Sequence, residues 1–336
     1  MIGTAVRTMQ CGVCVEPGRM AVEARPLPVE APEGWALVDI AAIGICGTDY
    51  HIFEGKHPFL DYPRVIGHEL SGHVASGPEE GRLVVVNPYV SCGRCRACRQ
   101  GKPNCCTEIE VFGVHRDGGM CARIAVPEGN LYPADGLTAE QAAMVEFLAI
   151  GAHAVARSGT GPGDLVLVTG AGPIGLGTAM FARLAGAEVH LMDLSPARLG
   201  LARDHFGFEH GHLPSDDLST GDLAEGFDVV FDATGNARAI EAGFPLVAHG
   251  GSTVLVSVVK DDIRFSDAEF HKREARIIGS RNALEADFYQ VMDAIRKGHI
   301  PTDAIASLVL PLAKLPDHFP GLVENRDQLV KVIVTP

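Results

Sequence analysis

Apolar and polar positions form short runs separated by Gly and Pro over roughly the first 150 residues, at 36–43, 72–75, Leu83–Val86 and 122–126. Runs of that length bounded by turn residues predict strands, and together they predict a compact β-rich unit with long loops. The rhythm changes at Thr138, which predicts a helix N-cap followed by an apolar face carrying Ala142, Val145 and Ala149. From Asp164 the pattern alternates between strand and helix. Leu165–Thr169 reads as a buried strand, followed by a Gly-rich turn and a helix through about Leu184. Glu188–Met192 reads as a second strand, and 227–231, 252–256 and 276–278 as later ones. This spacing predicts βαβ units and a parallel sheet. Beyond about Phe288 the pattern is mixed again and ends in an apolar strand at 329–334. No internal repeat of solenoid type is visible.

The chain has 336 residues, enough for two domains with sizeable cores. Hydrophobic residues make up 46% and charged residues 21%, which excludes a disordered or low-complexity chain. Lys and Arg number 28 against 42 Asp and Glu, a net charge of −14. Nucleic acid and anionic membranes would be repelled by that average field, so neither is expected as a partner. The eighteen residues from Leu165 to Ala182 carry no charge and reach the lower length of a membrane span. They contain Gly170, Gly172, Gly175, Gly177 and Pro173, however, which suit a strand–turn–helix instead. The first ten residues show no secretory signal, residues before Met9 read as an extended start, and a cytoplasmic location is expected.

Gly170-Ala171-Gly172-Pro173-Ile174-Gly175 fits G-x-G-x-x-G between a predicted strand and a predicted helix, the context that makes the motif specific for a dinucleotide. Gly170 permits a tight turn, Gly172 lets a pyrophosphate approach the helix N-terminus, and Gly175 allows close helix–strand packing. Asp193 follows Gly175 by eighteen residues, at the end of the second strand. A carboxylate there accepts from ribose hydroxyls and repels a 2′-phosphate, so NAD is expected over NADP. Arg198, five residues on, can pair with a phosphate or with Asp193. Pro173 and Ile174 in the turn and Thr234 after the strand at 227–231 complete the candidate cofactor contacts.

Five of the nine cysteines, Cys92, Cys95, Cys98, Cys105 and Cys106, fall within fifteen residues. Without a secretion signal, clustered thiols read as metal ligands rather than disulfides. Cys92, Cys95, Cys98 and Cys106 suit a closed, structural zinc site. Cys105 competes with Cys106 for the fourth place, and an iron–sulfur cluster is the alternative metal group. Arg94, Arg96 and Arg99 interleave the thiols and predict a surface loop. Cys11 and Cys14, three apart in a predicted strand, face opposite sides and read as structural thiols.

A second group comprises Gly44-Ile45-Cys46-Gly47-Thr48-Asp49 with Tyr50-His51, and Gly67-His68-Glu69-x2-Gly72. With the four-cysteine lobe, its Gly101 and Asn104, and the turn at 170–175, these motifs resemble the zinc-dependent medium-chain dehydrogenases/reductases, in the polyol, threonine and sugar-acid branch. The segment from Tyr62 to Glu69 looks closest to hexonate 5-dehydrogenase-like members. The resemblance implies an α/β chain with a GroES-like β-rich catalytic domain from residues 1–152 and 289–336, the zinc lobe at about 91–107, and a Rossmann domain over 153–288. It implies two zinc ions per chain, one structural and one catalytic in the cleft between domains, and a homodimer or homotetramer. Carried over by motif, Cys46 and His68 are catalytic zinc ligands, Glu69 is a ligand or near neighbour, and Glu146 occupies the place of the third protein ligand. Asp49 matches the acid that orients the zinc-bound imidazole. Phe147 stands where the family commonly has Pro, and the segment 74–83 is shorter than usual.

The reaction implied is reversible oxidation of a secondary alcohol of a polyol or sugar acid, such as galactonate or gulonate, to a ketone by NAD. Thr48 and His51 match a relay carrying the proton to water, with a water beside Glu69 or Glu146 as the alternative. Arg281 and Asn282, after the strand at 276–278, are candidates to hold a substrate carboxylate and hydroxyl, with a cofactor contact or ion pair as the other reading of Arg281. The competing functions are a threonine-type or general alcohol dehydrogenase and, outside enzymes, a zinc- and nucleotide-binding regulatory protein.

Overall fold

The computed structural model describes residues 7–57 and 60–336. The chain start, read above as an extended lead-in, lies outside the described residues as far as residue 6. Two compact units are present. One comprises Met1–Glu146, Met292–Gly298 and Ile305–Pro336, and the other Phe147–Val291 and His299–Ala304.

The first unit is the β-rich, GroES-like part. Its main sheet runs in the order Leu131–Pro133, Leu83–Val86, Glu69–Val74, Trp35–Ile45, Lys331–Thr335, Ala306–Pro311, and Arg123–Pro127 also pairs with Trp35–Ile45. Trp35–Ile45 is central because Leu37, Val38, Ile40, Ala42, Ile43 and Ile45 are all buried, so both its faces are covered. It lies antiparallel to Glu69–Val74, with Gly44 opposite Glu69, and antiparallel to Lys331–Thr335, with Ile45 opposite Val332. One strand end thus gathers residues from three distant parts of the chain. A smaller sheet joins Thr8–Glu16 to Arg19–Pro26 and Arg64–Val65. Cys11 and Cys14 are both buried in it and pack in the core with Val13, Ile66 and Phe319.

The second unit is a Rossmann-type sheet. All its strands are parallel, in the order His210–His212, Glu188–Met192, Leu165–Thr169, Phe227–Asp232, Val247–Leu255, Arg276–Gly279. Leu165–Thr169 reads as unbroken Leu-Val-Leu-Val-Thr, the pattern of a strand covered on both faces. The winding reverses beside it, between Glu188–Met192 and Phe227–Asp232, and open α/β sheets bind ligands at the carboxyl ends of strands at such a point.

The structure departs from the periodicity in several places, three of them instructive. The helix expected from Thr138 is two, Ala139–Ala143 and Val145–Ser158, with Met144 closing the first. Val247–Leu255 starts earlier than 252, at the pairing of Val247 with Phe227, and its first half gives no strand pattern because it carries the weak strand formers Ala248, His249 and Gly250. His210–His212 has no apolar alternation and was not foreseen. Among the described residues no helix is long and apolar enough to cross a membrane.

Candidate active site and dinucleotide site

Cys46, His68 and Glu69 each present a ligand atom, and these atoms lie within 4.8 Å of one another. Cys46 stands at the end of Trp35–Ile45, where it caps the short helix Gly47–Phe53. His68 precedes the strand Glu69–Val74, so the alternation of strand faces does not force it away from Glu69. Gly44 is required here: a Cβ on it would collide with the Glu69 carboxylate. His68 Nδ1 and Glu69 Oε2 are buried without a hydrogen-bond partner. Orphaned buried lone pairs beside a thiol are costly unless a cation takes them up, so the trio fits a zinc ion with a position left open.

The charges around the trio are strongly coupled. Burial opposes a charged His68 ring, but Cys46, Asp49 and Glu146 together hold it well above the usual histidine range. Asp49 is fully buried and raised, chiefly by burial. Its Oδ2 accepts from the Cys46 N–H at 2.9 Å and its Oδ1 from the Gly67 N–H at 3.2 Å. Asp49 therefore ties together the two backbone segments that carry Cys46 and His68, whereas the resemblance implied a grip on the imidazole.

The two glutamates also differ from their expected order. Glu146 stands outside the 4.8 Å trio and accepts a hydrogen bond from the buried Tyr89 hydroxyl. Burial pushes it up to about 7, with the Glu69 charge adding and His68 opposing. Glu69 instead meets Lys331, a residue that motif reading missed. Lys331 Nζ donates to Glu69 Oε1 at 2.6 Å and to the Ile45 carbonyl at 3.2 Å, and both side chains are almost fully buried. The available signal was a lone lysine heading the apolar strand Lys331–Thr335. On the short helix, Thr48 Oγ1 lies 3.8 Å from Cys46 Sγ, and His51 is exposed three residues further on, on the same helical face.

The cysteine lobe draws Cys92, Cys95, Cys98 and Cys106 together, again within 4.8 Å, and leaves Cys105 exposed. Backbone N–H groups converge on the sulfurs: Cys92 on Cys106 Sγ at 3.3 Å, Cys95 on Cys92 Sγ at 3.3 Å, Cys98 on Cys95 Sγ at 3.5 Å, and Glu108 on Cys106 Sγ at 3.3 Å. Such donors favour thiolates. The backbone N–H groups of Cys98 and Thr107 bring Cys95 down to about 6. Four converging sulfurs fit a closed zinc site. All nine cysteines are free.

In the second unit Gly170 has φ +92° and its N–H donates to the Met192 carbonyl. Gly172 caps the helix Pro173–Leu184, and Pro173 occupies its first position, where no N–H is needed. A Cβ on Gly175 would run into the Gly170 carbonyl oxygen, so this glycine is demanded by the turn itself. Ile174 is half-buried in the same turn of helix. Asp193 Oδ1 accepts from the Ser195 N–H at 2.8 Å and Oδ2 from the Ala171 N–H at 2.7 Å. Arg198 lies on the Asp193 carboxylate at 3.5 Å. Thr234 joins a network that motif reading also missed, around the buried Asp232. That carboxylate accepts from the hydroxyls of Thr169, Thr234 and Ser257 and so fastens the ends of three strands and their loops. Arg281 is exposed and Asn282 half-buried with φ +52°, just beyond the carboxyl end of Arg276–Gly279.

Comparisons with known proteins agree with this architecture. The family model of the alcohol dehydrogenase GroES-like domain matches residues 32–136, and that of the zinc-binding dehydrogenase matches residues 173–297. An L-galactonate-5-dehydrogenase of Escherichia coli K12 is 40% identical over 347 aligned residues, covering 98% of this chain and 99% of that protein. An alcohol dehydrogenase of Escherichia coli CFT073, solved with NADH, superimposes with a TM-score of 0.91 at 27% identity over 98% of this chain and 99% of that one. A zinc-binding dehydrogenase of Sinorhizobium meliloti 1021, solved with NADP, gives 0.89 at 30% identity over 98% and 100%.

Proposed function

We propose that this chain, which belongs to the zinc-dependent medium-chain alcohol dehydrogenase family, oxidises a secondary alcohol of a sugar acid to a ketone with NAD as hydride acceptor. The observation that carries this reading is the cluster of half-buried Cys46 with buried His68 and Glu69, the last paired with Lys331, in a chain 40% identical over nearly its whole length to an enzyme named for L-galactonate. Cys46, His68 and Glu69 would hold the catalytic zinc, and Cys92, Cys95, Cys98 and Cys106 the structural one. When bound, the catalytic ion supplies Lewis-acid polarisation of the substrate oxygen.

The chain's own residues do the rest. Lys331 neutralises one oxygen of Glu69 and leaves the other for the metal. Asp49 fixes the backbone beneath Cys46 and His68, which preserves the geometry of the ligand atoms. Tyr89 holds Glu146 beside the trio, where its carboxylate receives a water or a substrate hydroxyl. Thr48 Oγ1 accepts the alcohol proton as its own hydroxyl proton moves on toward His51, which releases a proton to solvent. Gly172 and the N–H groups opening Pro173–Leu184 cradle the pyrophosphate, Pro173 and Ile174 line it, and Thr234 borders the same strand ends. Asp193 receives the ribose hydroxyls, and its charge disfavours a 2′-phosphate. Arg281 pairs with the substrate carboxylate and Asn282 serves a hydroxyl.

An NADH-absorbance screen over hexonates including L-galactonate, matched neutral polyols, threonine and ethanol tests the reading. The highest kcat/KM should fall on a hexonate. A charge-assisted hydrogen bond contributes about 1.5–3 kcal/mol, so Arg281→Ala should raise KM for the acid by roughly 10–100-fold and leave the neutral polyol nearly unchanged. Best activity on ethanol or threonine, or equal losses on acid and polyol, would reject this substrate class.

A further inference from the structure

We infer that the second unit carries a further metal site, built from Glu188, His190 and His210 at the edge of the parallel sheet, and that it takes a first-row transition ion such as zinc, nickel or cobalt. One ligand atom from each of the three lies within 4.8 Å of the others. The strand register creates the cluster. Glu188 and His190 are two apart on Glu188–Met192 and so share a face. The parallel neighbour His210–His212 sets His210 opposite His190 and His212 opposite Met192, so its own two imidazoles join that face. The His190 and His210 ring centroids lie 4.5 Å apart with their planes at 12°, and those of His190 and His212 lie 5.0 Å apart with their planes at 2°.

The hydrogen bonds prepare His190 as a ligand. Its Nδ1 lies 2.7 Å from His212 Nε2, and its Nε2 lies 3.3 Å from Glu188 Oε1. When Nδ1–H donates to His212, the Nε2 lone pair faces a carboxylate oxygen, and a cation relieves that repulsion. A neighbour that takes the second ring N–H is the usual means of orienting a metal-bound imidazole. In the opposite tautomer His190 donates to Glu188 and no ion is needed, so metal uptake separates the two states. Two imidazoles and a carboxylate suit zinc-like ions, whereas calcium and magnesium want oxygen ligands. His190 is buried, but Glu188 and His210 are exposed and give the ion a way in. A bound ion would clamp the three-residue edge strand to its neighbour. The clamp lies next to Asp193, whose N–H donates to the His212 carbonyl at 3.2 Å.

The test is equilibrium dialysis of the full-length protein against a zinc series, with bound metal counted by mass spectrometry. Wild type, His210→Ala, Glu188→Gln and His212→Ala are compared, and circular dichroism confirms their folding. Because the variants differ only at this cluster, the difference in uptake is independent of how many ions the cysteine sites hold. Wild type should bind one ion per chain more than His210→Ala or Glu188→Gln, and His212→Ala should bind that ion about 10–100-fold more weakly. Equal uptake by wild type and His210→Ala across the series would overturn the site.

Discussion

Lys331 and Glu69 meet in the interior of the first unit, 262 residues apart in sequence. Removing one partner of a buried ion pair leaves an uncompensated charge and destabilises by about 3–5 kcal/mol. Lys331→Met should therefore shift chemical unfolding to lower denaturant, followed by the fluorescence of Trp35, the single tryptophan, on the strand that ends at this site. Adding Glu69→Gln should recover part of the loss, and a midpoint unchanged in Lys331→Met would show that the pair carries no such charge. This pair also marks the limit of motif reading at the residue scale. Cys46, His68 and Glu69 were legible because each sits in a short pattern with its own glycines. Lys331 has no such neighbourhood, and its partner is set by the pairing of Ile45 with Val332. The ranking of Glu69 against Glu146 was hidden for the same reason, since Tyr89, which engages Glu146, lies 57 residues away.

Whole elements were legible where local chemistry decides them. Thr138 caps Ala139–Ala143 through a reciprocal pair of bonds with Gln141 at 3.2 and 3.0 Å. Thr138→Ala should lower stability by roughly 1 kcal/mol, measured by the same unfolding assay. Leu165–Thr169 and its turn were readable because an unbroken apolar run followed by spaced glycines fits few local structures besides a doubly buried strand and a phosphate-binding turn. The Gly175 contact sharpens that reading, because an added methyl meets backbone and not a yielding side chain. Gly175→Ala should weaken NADH binding at least about tenfold, a loss of about 1.4 kcal/mol, in a fluorescence titration. The cysteine lobe separates two adjacent thiols. Cys106 is 1% exposed and collects two backbone donors, while Cys105 faces solvent. Cys106→Ser should release the lobe's zinc and lower the melting temperature, whereas Cys105→Ser should change neither, because ligand loss at a closed site removes folding free energy. What stayed hidden were elements made by their neighbours, such as His210–His212, which is a strand only because Glu188–Met192 pairs with it.

At the scale of the molecule, the chain assigns its tasks to two units with separate cores. Cys46, His68 and Glu69, Lys331 and the thiol lobe belong to the first, and the glycine turn, Asp193 and the histidine cluster to the second. Arg198 contacts the Asp193 carboxylate at 3.5 Å, and the proposed preference for NAD rests on the charge of that carboxylate. Asp193→Ala should accordingly narrow the preference for NAD over NADP in kcat/KM, and a wild type favouring NADP would refute that role. The claim on which the rest depends is that Cys46 belongs to a metal site required for turnover. Its most direct test is the initial rate of NADH formation from L-galactonate and NAD by zinc-loaded wild type and Cys46→Ser, with NADH binding measured alongside. Lewis-acid stabilisation of several kcal/mol corresponds to a fall of about a hundred- to thousand-fold or more, with NADH affinity retained. A Cys46→Ser enzyme turning over L-galactonate at the wild-type rate would contradict the account.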